Sequence, residues 1–259
     1  MKFVDTHVHW YVEDFRADLP GAIARAQEAG VGRFVLPAVS RATHAPLMRV
    51  ARDFEGLCFP CVGLHPTEVK DDWRSELAFV EAQLATAPHT FVAIGETGID
   101  AYWSRDFIAA QQVVFEQQLR WSARYDLPVI VHARDAFDII FNVLEKVHPL
   151  PLRGVFHAYS GTAEQFRQLR RYGNFLMGVG GVVTFKKAAL AQTVEQTDLC
   201  DMVLETDAPW LAPAPFRGKR NESGYIPLIA EKVAALKRCP VEEIAAVTTA
   251  NAESLFNLT

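Results

Sequence analysis

Pro128-Val-Ile-Val-His132 is a run of four apolar residues closed by a histidine. A run this short and this continuously apolar reads as a strand buried on both faces, the habit of parallel sheets. Runs of the same build recur on either side. Phe3–His9, Arg33–Ala38, Cys58–His65 and Phe91–Gly95 precede it; Gly154–His157, Phe175–Val179 and Met202–Asp207 follow it. Amphipathic stretches fill the intervals. Leu77, Val80 and Leu84 recur at i, i+3, i+7, Phe166 and Leu169 at i, i+3, and Ile229, Val233 and Leu236 at i, i+4, i+7, each giving one apolar stripe. Pro20 suits a helix start and Gly30 the stop after Ile23–Ala29, while a terminal helix is expected from about Val241 to Leu255. Eight strands alternating with helices predict an α/β fold, a (β/α)8 TIM-type barrel, as one domain over residues 1–259. An open doubly wound sheet is the competing architecture, and no Gly-rich phosphate fingerprint follows the first strand to support it.

Bulk composition narrows the function classes. Half of the 259 residues are hydrophobic, enough to bury a large core without disulfides. The net charge of −5 offers no general attraction to nucleic acid, so a polyanionic substrate would have to be drawn by bound cations and a local basic patch. The N-terminus lacks a signal-peptide layout, and no apolar stretch approaches the ~20 residues that span a bilayer. Four cysteines are too sparse for a disulfide framework, and a cytoplasmic protein with reduced thiols is expected. Cys58 and Cys61 have redox-motif spacing, but the segment Leu57–Leu64 reads as a buried strand in which free cysteine packs well.

The histidines carry the functional signal. Of eight, His7, His9, His65, His132 and His157 stand at the C-terminal ends of expected strands, which converge on the mouth of a barrel. In Asp5-Thr-His-Val-His9 the alternation of strand side chains puts Asp5, His7 and His9 on one face, so two imidazoles can chelate one ion. Glu96, in Gly95-Glu-Thr-Gly-Ile-Asp100 after the fourth strand, lies between glycines and can bridge two cations. His132 and His157 would serve a second ion, as imidazole suits zinc and other first-row metals. Asp207 ends Leu204-Glu-Thr-Asp207 and is the candidate for metal binding and for handling the water proton; Glu205, one step deeper, would orient the ligands. His65 suits a substrate phosphate or a leaving group better than a metal. Arg217, Lys219 and Arg220 form a basic run after the eighth strand that either grips phosphate oxygens or is a solvated loop, with Lys186, Lys187 and Arg134 weaker candidates of the same kind.

Together these motifs resemble the TatD family of metal-dependent deoxyribonucleases, within the amidohydrolase-like barrels. The matching segments run in order along nearly the whole chain: Asp5–His9, Gly63-Leu-His-Pro66, Gly95–Asp100, Val131-His-Ala-Arg134, Phe156-His-Ala-Tyr-Ser-Gly161, Glu205–Pro209 and Arg217–Glu222. The resemblance implies one ion held by His7, His9, Glu96 and Asp207, and a second held by Glu96, His132 and His157. It implies His65 and Arg220 near the scissile phosphate. Thr67, Ser223 and Ala158-Tyr159 depart from residues common in the family, all near the mouth, which bears on substrate preference more than on catalysis. The expected activity is phosphodiester hydrolysis, a deoxyribonuclease of 3'-5' exonuclease kind, with DNA as substrate and two divalent ions per chain. Zinc, magnesium and manganese all remain open. Hydrolysis of a small amide, ester or lactone at the same centre is the alternative. Many such relatives bridge their metals through a modified lysine on the fourth strand, where Ala93-Ile-Gly-Glu96 has none. A non-catalytic metal-binding scaffold is a third reading, which a missing ligand would favour.

Overall fold

The computed structural model describes residues 1–258, so Thr259, the end of the expected 1–259 span, lies outside the described residues. Eight strands alternate with helices. The strands are β1 (Phe3–Asp5), β2 (Val31–Leu36), β3 (Cys58–Pro60), β4 (Ile94–Asp100), β5 (Val129–Arg134), β6 (Leu152–Phe156), β7 (Gly173–Val179) and β8 (Met202–Leu204). The helices are α1 (Leu19–Glu28), α2 (Arg41–Asp53), α3 (Trp73–Thr86), α4 (Ile108–Tyr125), α5 (Phe137–Val147), α6 (Ala163–Leu169), α7 (Ala189–Gln196), α8 (Ile226–Lys237) and α9 (Val241–Phe256). Local signals set several boundaries. Pro20 sits in the first turn of α1 and Gly30, at φ +88°, follows its end. At the start of α6, Thr162 Oγ1 accepts from Gln165 N (3.1 Å) while Gln165 Oε1 accepts from Thr162 N (2.9 Å).

Strands β1–β3 and β4–β8 each pair in sequence order, all parallel. Two narrow seams close the ring. Val62 bridges Ile94 between β3 and β4, and Val8 bridges Ala208 between β8 and β1. Gly63 and Gly95 let the first seam close: a Cβ on Gly63 would lie 2.8 Å from the Gly95 carbonyl carbon. The fold is therefore a (β/α)8 barrel, with several strands shorter than their apolar runs. The run Phe3–His9 leaves strand geometry after Asp5, and Met202–Asp207 does so after Leu204. β4 differs the other way. It was expected over Phe91–Gly95 and instead runs from Ile94 through Asp100, so the Glu96 motif lies inside a strand rather than after it.

The core has two parts. A large cluster packs the outward strand faces against the helices. A smaller one takes one side chain from each strand segment: Val4, Val35, Cys61, Ala93, Ile130, Val155, Leu176 and Val203, which line the barrel interior. Leu255, Phe256 and Leu258, at the end of α9, belong to this inner cluster and close its floor. Phe256 is almost fully buried there. Phe256→Ala is expected to lower stability by roughly 3–5 kcal/mol, measured by urea unfolding followed by circular dichroism.

Cys58 and Cys61 are free, buried thiols, as the strand reading expected. Burial pushes the Cys58 thiol up to about 12, which removes the thiolate that redox chemistry needs. No helix among the described residues is long and apolar enough to cross a membrane.

Candidate metal centre at the barrel mouth

The inner apolar layer determines what stands above it. Side chains two residues apart on a strand share a face. Ile130, Val155 and Val203 therefore carry His132, His157 and Glu205 one layer higher, toward the C-terminal mouth. β4 and β1 need a correction to that rule, because their inward polar residues come three positions after the apolar ones. On β4 the pairing runs Ile94 to Val129 and then Thr97 to Val131. One extra residue on β4 makes a bulge, and the bulge turns Glu96 into the barrel. On β1 a bend at Thr6 separates Val4 from His7.

Glu96 is the hub. It is 2 % exposed, and its two oxygens face different groups. Oε1 lies 2.9 Å from His132 Nδ1, 2.9 Å from His157 Nε2 and 3.2 Å from His65 Nε2. Oε2 lies 3.2 Å from His7 Nε2 and 3.9 Å from His9 Nε2. Asp207 Oδ1 joins the second group, 3.4 Å from His9 Nε2 and 3.6 Å from His7 Nε2. Burial pushes the Glu96 carboxyl up, but His157, His65 and His7 outweigh it and hold the group well below the usual range. Asp207 is likewise held low against burial by His9, His157 and His7. Both are carboxylates at neutral pH.

Hydrogen bonds around the rings select tautomers. The Tyr11 hydroxyl donates to Pro37 C=O (2.6 Å), so its oxygen accepts from His9 Nδ1–H (2.8 Å) and His9 Nε2 keeps its lone pair. That lone pair points at His7 Nε2, 3.0 Å away. His132 Nε2 lies 2.9 Å from Asp100 Oδ2, which leaves Nδ1 toward Glu96. His65 is wired the opposite way. Its Nδ1 accepts from Thr67 N (3.1 Å), so the neutral ring carries its proton on Nε2, as a donor into the mouth. Eight ring nitrogens and carboxylate oxygens thus crowd together with too few protons to satisfy them. Inward lone pairs on imidazoles backed by hydrogen-bond acceptors suit a transition or divalent metal ion.

Other candidates fall into place around this cluster. Glu205 Oε1 accepts from Ala158 N and lies 3.5 Å from His157 Nδ1, beside the ring it was expected to orient. Gly178 makes room for it: a Cβ there would lie 2.8 Å from Glu205 Cδ. Arg134 lines the mouth cavity, of about 430 Å³, together with His65, Glu96, His132, His157 and Asp207. Lys186, Lys187, Arg217 and Lys219 are exposed and do not line it.

Two expectations change. Asp5 does not share the histidines' direction, because the chain bends at Thr6. Its carboxylate accepts from Thr206 Oγ1 (2.6 Å), Thr206 N (3.0 Å) and His7 N (3.2 Å), joining β1 to the segment after β8. Burial, only partly offset by these bonds, pushes its carboxyl up to about 7. Arg220 is not brought to the cluster. Its guanidinium donates to Asp18 (2.7 and 2.8 Å), Glu222 (2.6 Å) and Asp14 C=O (2.8 Å), over the Phe15 ring. Asp18 is 202 residues away in sequence, so the basic run gave no sign that this arginine was already paired.

Sequence reasoning also missed residues that hold the clustered histidines. Tyr11 fixes His9. Asp100, the last residue of the Gly95–Asp100 motif, fixes His132. Buried Gln118 of α4 accepts from Leu64 N (2.9 Å) and donates to Leu64 C=O (3.2 Å), clamping the residue before His65. Its spacing along α4 shows only a helix position, with no hint of the strand it reaches.

Five histidines and two carboxylates converging at the mouth of a (β/α)8 barrel define a metal-dependent hydrolase. A family model described as TatD related DNase matches residues 4–257. The uncharacterized metal-dependent hydrolase YabD of Bacillus subtilis (strain 168) is 35% identical over 98% of both chains. The 3'-5' ssDNA/RNA exonuclease TatD of Erwinia tasmaniensis is 31% identical, covering 98% of this chain and 99% of its own. The crystal structure of YJJV, a TatD homologue from Escherichia coli K12, superposes with a TM-score of 0.90 at 30% identity, covering 98% of each chain. The chain belongs to the TatD family.

Proposed function

We propose that this hydrolase cleaves phosphodiester bonds of nucleic acid, as a deoxyribonuclease of 3'-5' exonuclease kind, with two divalent ions held at the mouth. The observation that carries the two-ion reading is the division of the donors by Glu96. His7, His9 and Asp207 gather at Oε2, and His132 and His157 at Oε1. His7, His9, Glu96 and Asp207 would hold one ion, and Glu96, His132 and His157 the other. Such ions, when bound, lower the pKa of water and offset phosphoryl charge. The relative named as a 3'-5' ssDNA/RNA exonuclease supports the choice of substrate.

The chain's own groups divide the remaining work. Asp207, a carboxylate at the cavity wall, orients the attacking water and takes its proton. His65 donates from Nε2 to an oxygen of the phosphate or to the leaving oxygen, since Thr67 N occupies its other nitrogen. Tyr11, Asp100 and Glu205 keep three imidazoles turned inward. Arg134, rather than Arg220, supplies a guanidinium to a phosphate in the cavity.

A substrate panel tests the reading. The purified protein is offered single-stranded DNA, duplex DNA, RNA, a chromogenic phosphodiester and small amides, esters and lactones, with and without chelator. The expected result is cleavage of single-stranded DNA from its 3' end, lost in chelator and restored by a divalent ion. Turnover confined to the carbonyl substrates overturns it.

A further inference from the structure

Six large hydrophobic side chains are exposed among the described residues. Four of them, Tyr102, Trp103, Trp210 and Leu211, lie in the two loops that follow β4 and β8. These strands are four places apart in a ring of eight, so their loops face each other across the mouth. Trp103 is 70% exposed and Trp210 49%, yet both line the same cavity as Glu96 and Asp207.

The backbone beneath each ring is held. Asp100 Oδ1 accepts from Trp103 N (3.2 Å) and from Tyr102 N (3.0 Å), while its other oxygen meets His132. The fully buried Asn221 donates to Trp210 C=O (2.6 Å), and the Trp210 ring stands edge-on to His9, centroids 5.0 Å apart. The Arg134 guanidinium lies 3.9 Å from the Tyr102 ring centroid and 5.3 Å from that of Trp103. Fixed backbone under free aromatic faces is a preorganised contact surface, and the adjacent cation fits a phosphate.

We propose that Trp103 and Trp210 are stacking platforms for unpaired bases on the two sides of the bond to be cut, with Arg134 on the adjoining phosphate. The proposal rests on the nucleic-acid reading above and specifies how that substrate is gripped. Every base offers a π-face, so such platforms tolerate any sequence. Paired bases within a duplex have those faces covered by their neighbours. The donor cluster is deep and Glu96 almost fully buried, so the scissile phosphate must descend while its flanking bases pass the two rings. Single-stranded or frayed ends meet that requirement.

The test compares kcat/KM on an oligothymidylate with that on a strand of equal length whose two 3'-terminal nucleotides lack bases. The readout is the ratio of the two. In wild type the ratio stands well above one. Trp103→Ala and Trp210→Ala each reduce it by roughly 5- to 100-fold, mainly through KM. Trp103→Tyr and Trp210→Tyr retain most of it. Thermal melts of each variant control for folding. A wild type that cleaves but shows the same ratio in both alanine variants overturns the platforms alone. A wild type that cleaves neither strand overturns the nucleic-acid reading and the platforms with it.

Discussion

Asp207→Asn abolishes turnover, with kcat falling by about 10²–10⁴-fold or more, while the barrel stays folded. Asparagine keeps the shape of the side chain and removes its charge and its capacity to take a proton. The backbone accepts the change, because Asp207 sits at φ +59° in the left-handed region that Asn adopts readily. Its amide still donates to His7 C=O (2.9 Å), so the β8–β1 seam is retained. The environment explains the size of the effect. Burial would favour the protonated acid, and His9, His157 and His7 overcome it to keep Asp207 anionic. The measurement is kcat on single-stranded DNA at matched metal content, with thermal melts alongside. Near-normal turnover in a folded variant would refute the assigned role.

Glu96→Gln acts one step earlier. Both oxygens of Glu96 face imidazoles, two rings at Oε2 and three at Oε1. Glutamine keeps one oxygen and presents an NH₂ on the other side, toward nitrogen lone pairs. It can neither bridge two cations nor balance their charge. Outer partners of metal ligands already cost about 10–100-fold in affinity or activity when lost, so loss of a carboxylate proposed to bridge two ions is expected to exceed that. The expected outcome is a fall from two bound ions per chain to one or fewer, measured by elemental analysis after dialysis, with activity reduced more than about 10²-fold. Two ions retained at wild-type affinity would show that Glu96 is not the bridge. The two variants are complementary: Asp207→Asn, compared at matched metal content because Asp207 is itself a proposed ligand, tests proton handling, and Glu96→Gln tests the assembly of the centre itself.

Much of this centre is readable in one dimension because a barrel converts strand order into convergence. A histidine at the end of Pro128–His132 and another at the end of Gly154–His157 need only the parity of a strand to point inward together. The parity argument fails where the backbone is irregular. The bulge at Gly95-Glu96 lengthens β4 past its apolar run, and the bend at Thr6 separates Asp5 from the histidines it precedes. Both depend on which residue pairs with which across strands, and no local composition encodes that register.

The last class of residue owes everything to long-range packing. The family resemblance and the basic run put Arg220 forward as a phosphate ligand; in the structure its guanidinium pairs with Asp18, brought from α1's leading edge. No local pattern singles out Trp103 or Trp210, and only ring closure sets them on one cavity. The run Pro128–His132 and its seven counterparts were sufficient by themselves to specify the barrel and the histidine-rich rim, since period and strand-end chemistry are local properties. Which carboxylate sits at the hub, which arginine stays free and which aromatic faces remain open were decided by tertiary structure, because each depends on partners that distant segments supply.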